Sequence, residues 1–157
     1  MTVKLIGGMI VVISSIFVAL SHRRFQGTRL KTLDGFIALL MYIKGQVDCY
    51  ALPLYEILMS IPPEILCDCN CPEGVESLDE LIYESKIYLE EESLRLLEAF
   101  SVEFGSTFRE EQLRRCDFYL NALVEERKRL SDDVIKRSRV GSALSICSSL
   151  GLLILLW

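Results

Sequence analysis

Two apolar runs, one at each end of the chain, constrain the fold more than any other feature. Residues 3–21 carry a single charged side chain, Lys4, and residues 140–157 carry none. At a helical rise of about 1.5 Å per residue, eighteen residues reach roughly 27 Å, near the ~30 Å hydrocarbon thickness of a bilayer. Each run keeps its cations inboard: Arg23, Arg24, Arg29 and Lys31 follow the first, and Lys136, Arg137 and Arg139 precede the second. Positive charge marks the cytoplasmic flank of a membrane helix. The pattern therefore predicts transmembrane helices at 3–21 and 140–157, with a cytoplasmic body at 22–139. A secretory signal peptide is the competing reading of the first run, since Ala19-Leu20-Ser21 offers small residues at cleavage positions. Cations that follow the run are the wrong way round for export, so it reads as an uncleaved anchor.

The length of 157 residues suits one domain between the anchors. Mean hydropathy is +0.34, with the excess concentrated at the ends, whereas all twenty-two Asp and Glu lie between Asp34 and Asp133. A net charge of −5 and a pI near 5.0 argue against nucleic acid as a partner, because phosphate neutralisation needs a basic face. The basic clusters sit beside the apolar runs, where lipid headgroups are their natural contacts.

Within the body every signal is helical. Leu30, Leu33, Ile37, Leu40 and Met41 step by three and four, predicting an amphipathic helix from Arg29 to about Val47. Gly45 and the Asp48–Leu52 stretch weaken it. Pro53 suits the first turn of a second helix, with Leu54, Ile57, Leu58 and Ile61 inward. Pro62-Pro63 stops that helix and starts another short turn. Cys67–Gly74 reads as a loop. Ser77-Leu78-Asp79-Glu80 is a capping box, opening a helix that presents Leu78, Leu81, Ile82, Ile87 and Leu89. Glu90-Glu91-Glu92 begins the next, with Leu94, Leu97, Phe100 and Phe104 inward and Gly105 as its stop. Thr107-Phe108-Arg109-Glu110 is a second capping box. It starts one long helix with Phe108, Cys116, Leu120, Leu123, Leu130 and Val134 on its apolar face, continuous with the closing run. The expected fold is all-α, a compact bundle of about five or six helices between two transmembrane helices.

Catalytic signatures are absent. There is no phosphate-binding Gly-rich loop, no His-Glu-x-x-His and no nucleophile elbow, and the sole histidine, His22, sits at a membrane boundary. The reading is a non-enzyme without cofactor or small-molecule substrate. Cys67, Cys69 and Cys71 are the nearest approach to a metal set, but alternating cysteines point apart in an extended chain and structural zinc favours wider spacing. A loop of reduced thiols is the expectation, and a metal- or redox-sensing adaptor is the competing function. Gly141, Ser145 and Ser149 recur every four residues, a small-residue stripe that permits close packing of membrane helices. The acidic runs at Glu90–Glu92 and Glu110-Glu111 read as solvated helix starts, with docking of a basic partner as the alternative.

Several segments resemble one family. They are Lys4-Leu5-Ile6-Gly7, the stretch Leu52-Pro53-Leu54-Tyr55-Glu56-Ile57-Leu58, the turn Phe104-Gly105-Ser106-Thr107-Phe108-Arg109-Glu110-Glu111-Gln112, and the Leu-rich closing run. Together with the two-anchor layout they resemble the stage III sporulation protein AB family. Leu52 stands where that family has Thr and Phe108 where it has Asp, and the Cys67–Cys71 stretch has no counterpart. The resemblance implies kinship with the inner-membrane platform protein of type II secretion and type IV pilus systems. It implies a place in the mother-cell membrane around the forespore, in a channel built from stage III A membrane proteins. The implied partner is the ATPase stage III sporulation protein AA, and the surface near Gly105 and Gln112 is the expected partner surface.

Overall fold

A computed structural model describes the backbone of residues 2–50, 53–71, 76–104 and 108–156. Side chains are described for Ile13, Ser14, Phe17, Leu20 and Ser21, and from Arg24 to Lys136 within those segments. The described residues form six α-helices and one 3-10 turn, with no strand among them. These are α1 (Thr2–Tyr50), α2 (Leu54–Met59), α3 (Pro63–Asp68), α4 (Leu78–Ser85), the 3-10 turn Lys86–Tyr88, α5 (Glu91–Glu103) and α6 (Arg109–Leu156).

The chain divides into two compact units. One combines Met1–Gly27 with Ser131–Trp157; the other, the body, is Thr28–Leu130 and lies inside the 22–139 span. In the first unit, Ile13, Phe17 and Leu20 share one face of α1 and are each more than half exposed. No helix, over the described residues, is long and apolar enough to cross a membrane. Most side chains of residues 3–21, and all of those of 140–157, lie outside the described residues.

The helix expected from Arg29 to Val47 is the second part of α1, which begins at Thr2 and continues to Tyr50. No residue between the apolar run and the amphipathic pattern breaks the helix. Gly45 does not end the helix either. On its inner face Leu33, Phe36, Leu40, Ile43 and Val47 are all buried, stepping by three and four. Opposite them α6 buries Cys116, Tyr119, Leu123 and Leu130. Phe100 of α5 is fully buried, its ring 4.8 Å from Phe104 and 5.5 Å from Tyr119 of α6. Each such fully buried side chain contributes about 1.5–3 kcal/mol from area removed from water.

Prolines punctuate the short helices. Pro53 is the extended N-cap of α2 (φ −67°, ψ 149°), one position earlier than the sequence suggests, and Pro63 opens α3 at its first position. Ser77 caps α4 by accepting the Glu80 N–H at 3.2 Å, while the Glu80 carboxylate takes the Glu76 N–H at 3.0 Å. Two expectations fail at helix ends. Ile87 is 74% exposed, because α4 stops at Ser85 and the tighter 3-10 turn swings it outward while returning Leu89 to the core. Phe108 is 90% exposed, lying before the first turn of α6 and off its apolar stripe.

Candidate interaction surface

Over the described residues the body is a frame of two antiparallel helices closed by four shorter helices and a 3-10 turn. Lys44 meets Asp117 at 2.6 Å and Asp34 meets Arg127 at 2.8 Å. Ten residues back along α1 thus correspond to ten residues forward along α6. Thr28 and Leu130 therefore stand at one end of the body, where the chain enters and leaves. At the other end Arg109 reaches across to the carbonyls of Val47 (3.2 Å) and Asp48 and to the Asp48 carboxylate (2.7 Å). A guanidinium there satisfies carbonyls left over in the last turn of α1 and opposes the negative end of its dipole. Arg115, further along α6, does similar work at the end of α5, donating to the Glu103 carbonyl at 3.0 Å and pairing with Glu111.

At the entry end a chain of charges links three helices. Arg29 pairs with Glu90 at 3.0 Å, Glu90 lies 3.5 Å from Arg129, and Arg129 grips Glu126 through Nε–Oε2 at 2.8 Å. Glu126 is buried in the α6 stripe, between Leu123 and Leu130. Sequence reasoning passed over it because a charged residue breaks the apolar pattern. Its place three beyond Leu123 and four before Leu130 was the available signal. Arg29 and Lys31, expected as flanking topology cations, are engaged within the body, Lys31 with Asp68 at 3.0 Å.

The Cys67–Cys71 stretch is a helix end, not a loop. Cys67 and Asp68 close α3, and Asn70 adopts the left-handed conformation (φ 67°). The Cys71 N–H then reaches the Leu66 carbonyl at 2.9 Å and the Asn70 N–H the Cys67 carbonyl at 3.1 Å. This is the double bond of a Schellman cap, with Leu66 and Cys71 buried as its apolar pair. Cys69 is fully buried, and its carbonyl accepts from Ser85 at 2.5 Å. Burial first, then Asp68 and Cys71, pushes the Cys69 thiol up to about 12, leaving it protonated and a poor ligand at neutral pH. Cys67 is exposed. The three thiols are thus divided between core and solvent. Among the described residues no group of three or more Cys, His, Asp or Glu is placed to hold a metal.

Of the other residues singled out by sequence, Arg24 and Lys136 are exposed. The side chains of Arg23, Arg137, Arg139, Gly141, Ser145 and Ser149 lie outside the described residues, as does Gly105. Gln112 is half-buried in the first turn of α6, its N–H donating to the Phe108 carbonyl at 3.0 Å.

A concave surface does occur between α4 and α5. Asp79, Ile82, Tyr83, Lys86, Leu94 and Glu98 line a groove of about 150 Å³. The body around it is acidic: Thr28–Leu130 holds twenty Asp and Glu against eleven Lys and Arg. Between Lys44 and Lys86 no Lys, Arg or His occurs at all, while nine acidic residues do. No sequence motif marks this groove, because its walls come from two helices that meet only on folding.

These features describe an acidic module that is all-helical over the described residues. The sequence model of the stage III sporulation protein AB family matches residues 76–157, and the chain belongs to that family. The match spans α4, α5 and α6 and so includes both walls of the groove. Membership gives the chain a role in stage III of sporulation. No curated protein and no solved structure matches it.

Proposed function

We propose that the chain is a non-enzymatic membrane subunit of a secretion-like sporulation channel linking mother cell and forespore. Residues 3–21 and 140–157 anchor it in the mother-cell membrane around the forespore, and residues 22–139 face the cytoplasm. The body receives the stage III sporulation protein AA ATPase and couples it to the other stage III A membrane proteins. The observation that carries this reading is the antiparallel pairing of α1 and α6, which brings the chain into and out of the body at one end. A module built that way presents its far end and its short helices to partners. Inboard cations at Arg23, Arg24, Lys136, Arg137 and Arg139 support the orientation. A body without catalytic signatures needs an energy source from elsewhere. The likeness to secretion platforms is an analogy of fold and layout.

Two measurements test it. Reporter fusions after residue 50 and at both termini should place the body inside and the ends at the far face. An exterior body overturns the topology. Co-purification of the detergent-solubilised full chain with the ATPase tests coupling, and absence of binding by folded protein overturns it.

A further inference from the structure

We infer that the α4–α5 groove is the docking site for a basic, amphipathic segment of a partner protein. This rests on the body's reading as a docking module and names the surface and the chemistry it selects. The groove floor is apolar, from Ile82 and Leu94, and its edges carry Asp79 and Glu98 against the single ammonium of Lys86. None of Asp79, Glu84 and Glu98 has an ion-pair partner among the described residues, whereas Asp34, Asp48 and Asp117, where α1 meets α6, are each paired. Beside the groove stand two large apolar side chains with no cover, Tyr83 at 73% and Ile87 at 74% exposure. Ile87 is turned outward by the 3-10 turn that follows α4.

Apolar anchors within an unpaired acidic rim suit one class of occupant. An aliphatic or aromatic side chain fills the groove against Tyr83 while Lys or Arg on either side meets Asp79 and Glu98. Such an arrangement steers a cationic segment by its field and repels acidic surfaces, including anionic lipid. If the proposed function holds, the segment belongs to the ATPase.

The test uses the full chain in membranes, co-expressed with the ATPase, with a photocrosslinking amino acid replacing Ile87 and, as control, Val124 on α6. The expected result is a crosslink from position 87, and not from 124, to an ATPase segment of net positive charge. The yield should fall with added salt, and by about tenfold in an Asp79→Asn/Glu98→Lys variant whose helical content is unchanged. ATPase that co-purifies but crosslinks only from 124, or through an acidic segment, overturns the groove and leaves docking intact. A crosslink between two copies of this chain also overturns it. If the ATPase does not co-purify at all, the coupling role fails. The groove is then judged by the same probe with the other stage III A proteins co-expressed, where a crosslink to a basic segment supports it and none overturns it.

Discussion

Toward α3, helix α1 presents Gly35 to bare backbone: a Cβ there would stand 2.6 Å from the carbonyl carbon of Asp68 and 2.7 Å from the Cys69 nitrogen. Toward α6 the same helix presents a buried apolar stripe edged by exposed ion pairs, Asp34–Arg127, Lys44–Asp117 and Asp48–Arg109. The first seam is held by shape, the second by burial with charges set at its rim. Interiors packed at crystal density tolerate little added volume, whereas exposed pairs contribute little each. The contrast teaches that the missing side chain of Gly35 sets how closely α3 approaches, with one exposed pair, Lys31–Asp68, beside it, while α1 and α6 are aligned by many weak, directional contacts.

The sharpest way to break the contrast is Gly35→Val. Backbone at 2.6 Å has no flexible end to give way, so the variant should lose about 3 kcal/mol in denaturant unfolding. It should also make Cys69 reactive to alkylating agents, which in the native chain reach Cys49 and Cys67 far sooner. Gly45→Ala is the control on the same helix. Nothing lies within 4 Å of a Cβ there, and the change should stabilise by about 0.5–1 kcal/mol. Equal behaviour of the two glycines would remove the tight seam from the account.

The same seam predicts a pH dependence. Burial, reinforced by Asp68 and Cys71, raises the Cys69 thiol from 9.0 to about 12, and burial raises Cys116 to about 11. Well below pH 9 both thiols are protonated in the folded and unfolded chain and add no slope. Between pH 9 and about 12 the unfolded chain releases protons that the folded chain retains, so stability falls as pH rises through that window. Cys69→Ala should flatten part of the fall in a series of urea titrations from pH 8 to 10.5. An unchanged slope would mean the thiol is not desolvated.

At the entry end, Glu126 tests whether buried charge belongs with shape or with rim. Its carboxylate is buried, and Arg129 is its partner at 2.8 Å. Arg129→Ala leaves an acid without that partner and should cost about 1–3 kcal/mol. Glu126→Leu completes the apolar stripe and should be neutral or stabilising, since the Arg129 left behind is exposed to solvent and keeps Glu90. If both variants cost the same, the carboxylate is doing something besides satisfying its neighbour.

Much of this was legible in the chain and the rest was not, for identifiable reasons. Pro53, Pro63, Ser77 and the Pro-free run after Arg109 act locally, and the helices they delimit form where the sequence puts them. Ile87 was misassigned because its period was carried past the helix end at Ser85. The alternating cysteines of Cys67–Cys71 carry no helical pattern, and the cap depends instead on Asn70, whose left-handed backbone closes α3. Pro63 and Asn70 bracketing six residues were the signal. Gly35 and the groove had none. The close approach joins segments distant in sequence and the concavity joins consecutive helices; both exist only once the chain has folded, and neither leaves a mark in either partner.

The smallest expected effect is the most direct measure of the α1–α6 seam. Asp34 and Arg127 are ninety-three positions apart, joined by two hydrogen bonds of 2.8 and 3.1 Å, each side chain nearly half exposed. The paired carboxylate raises the Arg127 guanidinium above its ordinary value, first by hydrogen bonding and then by charge. Half-exposed pairs are screened by solvent, so a cycle of Asp34→Asn, Arg127→Gln and the double variant should give a coupling of about 0.5 kcal/mol at low salt, vanishing near 1 M. Bidentate geometry puts the value above that of a single-contact pair such as Lys44–Asp117. A coupling of several kcal/mol, insensitive to salt, would show that this seam is also held by desolvated contacts, and the two faces of α1 would then differ in chemistry but not in kind.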